Sequence, residues 1–159
     1  MGMDKKPVLE DPFKKYRRAA DQATRECIYA WETAIGLQAV DGLHTSDYLK
    51  ETAIKNIEGN ITANEALALI EDYYKGGSEP EKHRQEEADK VSARIVAEIL
   101  NREFDFSVLE YVSIHKRLFE GVYNHAGKIR DYNITKKEWV LDGDTVIYGS
   151  ASKLRSALE

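Results

Sequence analysis

The chain has 159 residues, of which 42% are hydrophobic and 32% are charged, and its net charge is −5. This length suits one domain, or one domain with a small helical attachment, and the apolar fraction is large enough for a core. The acidic balance disfavours a general nucleic-acid or anionic-membrane surface, so we expect neither partner. No apolar run approaches a bilayer span, and the lone cysteine, Cys27, fits a reducing, cytoplasmic setting. The four histidines show no metal-ligand spacing, so we expect no metal site.

The first predicted helix runs from about Pro12, a residue favoured in a first turn, to Val40. Gly42 can adopt the left-handed conformation that closes a helix. Small and apolar residues recur at steps of three and four, which predicts one buried face. The residues of this face are Ala20, Ala23, Cys27, Ala30, Ala34, Leu37 and Val40.

Two more helices are predicted before a linker. The second begins at Thr45 or Ser46, both good N-caps, and ends at Gly59. The TANE sequence at 62–65 matches a capping box and opens the third helix. GGSEP at 76–80 is the convincing linker, and we place a domain boundary there. The inward positions of the two helices are Leu49, Ala53, Ile57, Leu67, Ile70 and Tyr74.

The second half of the chain changes its periodicity after two further helices. Ala88, Val91, Ile95 and Ile99 mark the fourth helix. SVLE at 107–110 is a second capping box and opens the fifth. Asp142-Gly143 then lies between two β-rich runs in EWVLDGDTVIY, which predicts a hairpin turn with positive φ. Ser150 or Ser152 is a candidate cap for a last, short helix. The fold class expected is mostly α with one β-hairpin.

Residues 114–134 are the most distinctive stretch for chemistry. A lone histidine such as His115 is most often a surface or half-buried residue, and His125 lacks the partners of a catalytic triad. Arg130 is a candidate for phosphate binding or for a surface ion pair. Periodicity alone therefore takes the interpretation no further than a helical domain with a hairpin.

The sequence LFEGVYNHAGKIR at 118–130 resembles the N-terminal part of a Fic domain, with His125 where the family usually has Trp. The resemblance implies that residues 79–159 are the front of such a domain and that 134–148 form its flap. A flap is a hairpin that holds a segment of a target protein by strand addition, since an exposed strand edge offers unpaired backbone groups. The implied docking residues are Ile134, Trp139, Val140, Val146 and Ile147.

Residues 32–74 resemble a VbhA-type antitoxin domain, which implies a helical module over 1–78. In such modules a helix carries Ser or Thr, three residues, Glu, then Gly or Asn. The glutamate pairs with an arginine of the Fic active site and blocks placement of the ATP γ-phosphate. We favour Asp41-Gly42 for this inhibitory role, with Leu37 at the hydroxyl position, although Asp is about 1.5 Å shorter in reach than Glu. Glu58-Gly59 is the second choice, and a plain helix stop at Asp41-Gly42 is the alternative.

The Fic catalytic loop, His-Pro-Phe-x-x-Gly-Asn-Gly-Arg, does not occur in this chain. The resemblance implies a protein adenylyltransferase that uses ATP and Mg²⁺ in its complete form and is restrained by a fused antitoxin helix. We expect this chain alone to be inactive, with no catalytic residue and no tight binding of either cofactor. Its implied partner is a target protein. The alternative is a non-catalytic, antitoxin-like protein that sequesters a Fic toxin. Homo-oligomers are also compatible with the apolar faces of a partial domain.

Overall fold

The computed structural model describes residues 11–18, 20–101, 105, 107–137 and 142–158. It divides into two compact units, 1–102 and 103–159. The expected fold class is confirmed: the described residues form six α-helices and one two-stranded antiparallel sheet. None of the helices in these ranges is both long and apolar enough to cross a membrane.

The first unit contains four helices and a short 3₁₀ segment. Its elements are α1 (Gln22–Val40), α2 (Asp47–Ile57), α3 (Ala63–Tyr73), the 3₁₀ segment Pro80–Lys82 and α4 (His83–Asn101). The second unit contains two helices and the hairpin. Its elements are α5 (Val108–Phe119), β1 (Thr135–Lys137), β2 (Thr145–Ile147) and α6 (Ala151–Leu158).

The core of the first unit is formed by residues of all four of its helices, α1 to α4, together with Phe13. Its large buried side chains include Trp31, Leu49, Ile70 and Val96. Because α4 packs against both α1 and α3, it belongs to the same compact body as the first three helices. The boundary that we place at 78/79 separates the two resembled modules and stays a prediction. The compact units divide about two dozen residues later, after α4.

The predicted start of the first helix is wrong. Residues 12–18 form turns that bury Phe13, and α1 begins only at Gln22. Asp21 has an extended backbone conformation, and its carboxylate accepts a hydrogen bond from the Thr24 N–H (2.8 Å). A capping aspartate therefore starts the helix here, whereas the Pro12 signal lies on a turn.

The predicted buried face of α1 is correct at its centre and wrong at both ends, since Ala23 is exposed as well. Ala30 and Ala34 are buried, but Leu37 is 51% exposed and Val40 is 75% exposed. The core instead takes Trp31 and the adjacent side of the helix, including Gln38. Helix positions three and four residues apart share a face, so exposed Leu37 and Val40 lie on one side together with exposed Tyr29. We call Tyr29, Leu37 and Val40 the outer stripe of α1.

The predicted N-caps are confirmed where local chemistry specifies them. The Ser46 hydroxyl caps α2, and Thr62 with Glu65 forms the full capping box of α3. At α5 the Ser107 hydroxyl accepts from the Glu110 N–H (3.1 Å), as predicted. The Glu110 carboxylate, however, pairs with Arg117 at 2.9 Å. A nearby cation therefore takes the carboxylate that the predicted capping box assigned to the backbone of Ser107.

The hairpin of the second unit pairs Thr135 with Ile147 and Lys137 with Thr145. Asp142 and Gly143 have φ values of 53° and 88°, so the predicted turn residues do adopt positive φ. The described part of the first strand is Thr135–Lys137, and the predicted run at 138–141 lies outside the described residues.

Candidate functional site

The end of α1 is closed by its backbone. The Leu43 N–H donates to the Gln38 carbonyl (2.9 Å) and the Gly42 N–H to the Ala39 carbonyl (3.0 Å), which is the Schellman pattern. Gly42 has a φ of 69°, a conformation that other residues rarely adopt. The helix-stop interpretation of Asp41-Gly42 therefore describes its backbone correctly. That interpretation gives no role to the Asp41 carboxylate, because the closure uses backbone groups alone.

The Asp41 side chain is exposed at the end of the helix. No hydrogen bond or salt bridge joins its carboxylate to any described residue, while its backbone carbonyl accepts a long bond from Arg84 (3.5 Å). The exposed outer-stripe residues Leu37 and Val40 immediately precede it. An apolar surface and an acidic group thus lie side by side at this helix end, both open to a partner.

The second candidate, Glu58-Gly59, has the same backbone closure at the end of α2. The Asn60 N–H donates to the Lys55 carbonyl (2.9 Å), and Gly59 has a φ of 76°. The Glu58 carboxylate differs from that of Asp41, because it accepts from the Tyr16 hydroxyl (2.6 Å) and from the Asn60 amide (3.1 Å). Glu58 is thus occupied by contacts inside its own unit.

A buried aspartate holds the segment that follows Asp41. Asp89 of α4 is fully buried and accepts hydrogen bonds from the Ser46 N–H (2.8 Å), the Ser46 hydroxyl and the Tyr74 hydroxyl (2.8 Å). Burial raises the pKa of Asp89, against the effect of these hydrogen bonds. Because Ser46 also caps α2, Asp89 fixes the corner between α1 and α2. Sequence reasoning missed this residue, although a carboxylate between Ala88 and Val91 on an apolar helix face was a signal.

The candidate docking residues in the described part of the hairpin differ in exposure. Ile147 is 82% exposed, whereas Val146 and Ile134 are half-buried. Trp139 and Val140 lie outside the described residues. Among the described residues only β1 and β2 form a sheet, so each has one edge without a paired strand. Such an edge can accept an extended peptide through its backbone groups.

The candidates His115 and Arg130 in the distinctive 114–134 stretch both have structural partners. Nδ1 of His115 accepts a hydrogen bond from the Gly127 N–H (2.9 Å). The Arg130 guanidinium donates to the backbone carbonyls of Tyr132 and Gly149. Arg130 therefore ties the entry of the hairpin to the segment before α6, and neither phosphate binding nor a surface ion pair is needed to explain it.

A cavity of about 410 Å³ opens in the second unit. It is lined by α5, the turn after it, the entry to β1 and two leucines of α6. Its charged or titratable nitrogen groups are those of His115, His125, Lys128 and Arg130, and no carboxylate from the described part of the chain lines it.

Comparisons of the chain with models of protein families, with curated proteins and with solved structures found no match. The Fic and antitoxin resemblances therefore rest on the motifs alone.

The described residues do not fit the cofactors that the resemblance implies. They contain no group of three or more His, Cys, Asp or Glu side chains that could hold a metal ion. The sequence also lacks a glycine-rich phosphate loop. The described residues offer instead an acidic, apolar helix end in one unit and a strand edge in the other.

Proposed function

We propose that this chain is the regulatory and target-docking part of a Fic-type protein adenylyltransferase. The observation that carries the proposal is the end of α1, where the Asp41 carboxylate has no partner among the described residues and follows the exposed apolar side chains of Leu37 and Val40. A solvated helix end closed only for its own stability does not require two exposed apolar residues beside it.

The physical role proposed for this end is a clamp on a nucleotide pocket. Leu37 and Asp41 are four residues apart and so lie on neighbouring turns of the same helix side. The outer stripe would contact the enzyme, and the carboxylate would pair with a guanidinium of the pocket. A charge-assisted pair of this kind is strong where water is excluded, and it would deny that guanidinium to the ATP γ-phosphate.

The hairpin supports the second half of the proposal. The exposed side chain of Ile147 and the open edges of β1 and β2 suit an extended segment of a target protein. Strand addition supplies affinity through backbone bonds and leaves a target hydroxyl free for AMP transfer.

The test joins this chain to a segment that carries the missing catalytic loop and measures AMP transfer from labelled ATP. Asp41→Gly should raise the transfer rate because it removes the restraining carboxylate. Glu58→Gln is the matched control, since it changes the other acid-glycine helix end, and it should leave the rate unchanged. Equal rates for the parent and Asp41→Gly would eliminate Asp41 as the restraint. The absence of AMP transfer in every variant would contradict the proposal that the chain is part of an adenylyltransferase.

The alternative proposal is an antitoxin-like binding protein that sequesters a separate Fic toxin. The outer stripe of α1 favours it as well, because binding through Leu37 and Val40 does not depend on the hairpin. Mixing the chain with a complete Fic enzyme and measuring the complex by size-exclusion chromatography tests it. Val40→Lys should abolish the complex, whereas Leu109→Lys, at an exposed leucine of α5, should not. Absence of any complex would contradict this alternative.

A further inference from the structure

The hydrogen bond between His115 and Gly127 joins α5 to the turn that leads into the hairpin. The Gly127 N–H donates to Nδ1 of His115 at 2.9 Å, so Nδ1 must carry a lone pair and not a proton. We call this bond the His115 latch. It requires the neutral form of the imidazole, because an imidazolium has protons on both nitrogens and cannot accept a bond.

The turn sits close against α5 at this point. Gly127 has a φ of 70°, and a Cβ added there would lie 2.7 Å from Cβ of Lys116. The backbone therefore approaches α5 so closely that only glycine fits. This close contact leaves little room for the imidazole ring or the turn to rearrange in place if the hydrogen bond is lost.

The surroundings oppose a positive charge on His115. Its ring centre lies 6.1 Å from that of His125 and 5.0 Å from that of Phe119. The described groups that line the same cavity are Tyr111 on α5, His125 and Lys128 in the turn, and Arg130 and Tyr132 at the hairpin entry, and the described side chains of α6 that line it are leucines. Among the described residues, no carboxylate lines the cavity to balance an imidazolium. Burial and the neighbouring His125 accordingly lower the pKa of His115 below its ordinary 6.5.

We propose that the His115 latch is a pH-sensitive device that releases the turn at 123–128 when His115 is protonated. The direction follows from linkage. The open form binds the proton more readily than the latched form, so the latch is complete above pH 6.5 and weakens as the pH falls from there through the lowered pKa. Arg130, just after the turn, keeps its own bonds to the Tyr132 and Gly149 carbonyls, so the segment that opening releases ends before the hairpin entry. This inference does not depend on the proposed function.

The experiment follows amide protection in the full chain by NMR hydrogen exchange, corrected for intrinsic rates, from about pH 8 to about pH 5. Protection of the Gly127 amide should fall, by up to about tenfold per pH unit, as the pH drops from 6.5 to the lowered pKa of His115, and it should level off below that pKa. The Glu65 amide, held by Thr62 in the other unit, is the internal control. It should stay constant because the pKa of Glu65 lies below its ordinary value. Constant Gly127 protection through the His115 titration would overturn the proposal.

Two variants sharpen the assignment. His125→Gln removes the neighbouring imidazole and should move the Gly127 midpoint to higher pH. His44→Gln, at an exposed histidine of the first unit, should leave the midpoint where it is. A Gly127 midpoint that disappears in His125→Gln would assign the effect to His125 and contradict the latch. Neither variant changes the two partners of the hydrogen bond. The wild-type titration tests the proposal even if a variant does not fold.

Discussion

The ends of α1 and α2 have the same backbone closure and differ in the use of their acidic residues. Both helices finish with an acid, a glycine at positive φ and a Schellman pair of hydrogen bonds. At α2 the Glu58 carboxylate is held by Tyr16 and Asn60. At α1 the Asp41 carboxylate has no partner among the described residues. The closure is therefore independent of the acid, and only tertiary neighbours decide whether the acid is available to another molecule.

The two ends also differ in the burial of the next residue along the chain. Leu43, the residue after Gly42, is buried, and the chain then reaches Ser46 on Asp89. Asn60, the residue after Gly59, is exposed. Buried Leu43 and the bonds of Ser46 to Asp89 thus fix the chain just after the end of α1, while the Asp41 side chain is exposed. This arrangement suits the presentation of a charge to a partner.

The largest effect is expected from Asp89→Ala. It leaves the buried Ser46 N–H and the Tyr74 hydroxyl without their acceptor, so the free energy of unfolding should fall by about 2–4 kcal/mol. Urea unfolding measures the loss, and Asp72→Ala, at an exposed ion pair with Lys75, is the control. Protection of the Leu43 amide should fall more than that of Asn60. A loss below about 1 kcal/mol would mean that the corner does not depend on Asp89.

The next effect tests whether the two closures are equivalent. Gly42→Ala and Gly59→Ala should each lower the free energy of unfolding by about 1–2 kcal/mol, since alanine is strained at positive φ. A Cβ added at either glycine would meet no atom within 4 Å, so the loss in unfolding free energy comes from backbone strain alone. The two variants should therefore lose similar amounts of stability. Thermal or urea unfolding of the two variants decides this. Losses that differ several-fold would show that the closures are not alike.

The smallest effect separates the two acids. Glu58→Ala should destabilise the protein by about 0.5–1 kcal/mol because Tyr16 and Asn60 lose an acceptor. Asp41→Ala should be neutral or stabilising by about 0.3 kcal/mol, since an acid at a helix C-terminus opposes the helix dipole. Equilibrium unfolding with both variants measures the difference. If Asp41→Ala proves the more destabilising of the two, the carboxylate has a structural partner and is not free for another molecule.

The cavity of the second unit shows that a sequence motif cannot assign roles to its residues when their partners are distant in sequence. The sequence singled out His115, His125 and Arg130, but as residues of unassigned role. The structure gives His115 a backbone donor twelve residues away and Arg130 two backbone carbonyls, one of them nineteen residues away. Such pairings join positions that no local pattern relates, so they could not be predicted.

The local sequence was enough to predict the helix stops at Gly42 and Gly59, a cap of α2 at Thr45 or Ser46, the caps at Thr62 and Ser107, and the mostly helical class. These features depend on interactions within about four residues, which a local pattern contains. Tertiary packing was needed to decide which face of α1 is buried. It also decided that Glu58 is occupied while Asp41 is open. The reason is physical: a helix with apolar residues on more than one side has several acceptable orientations, and the packing of α4 and Trp31 selects one of them.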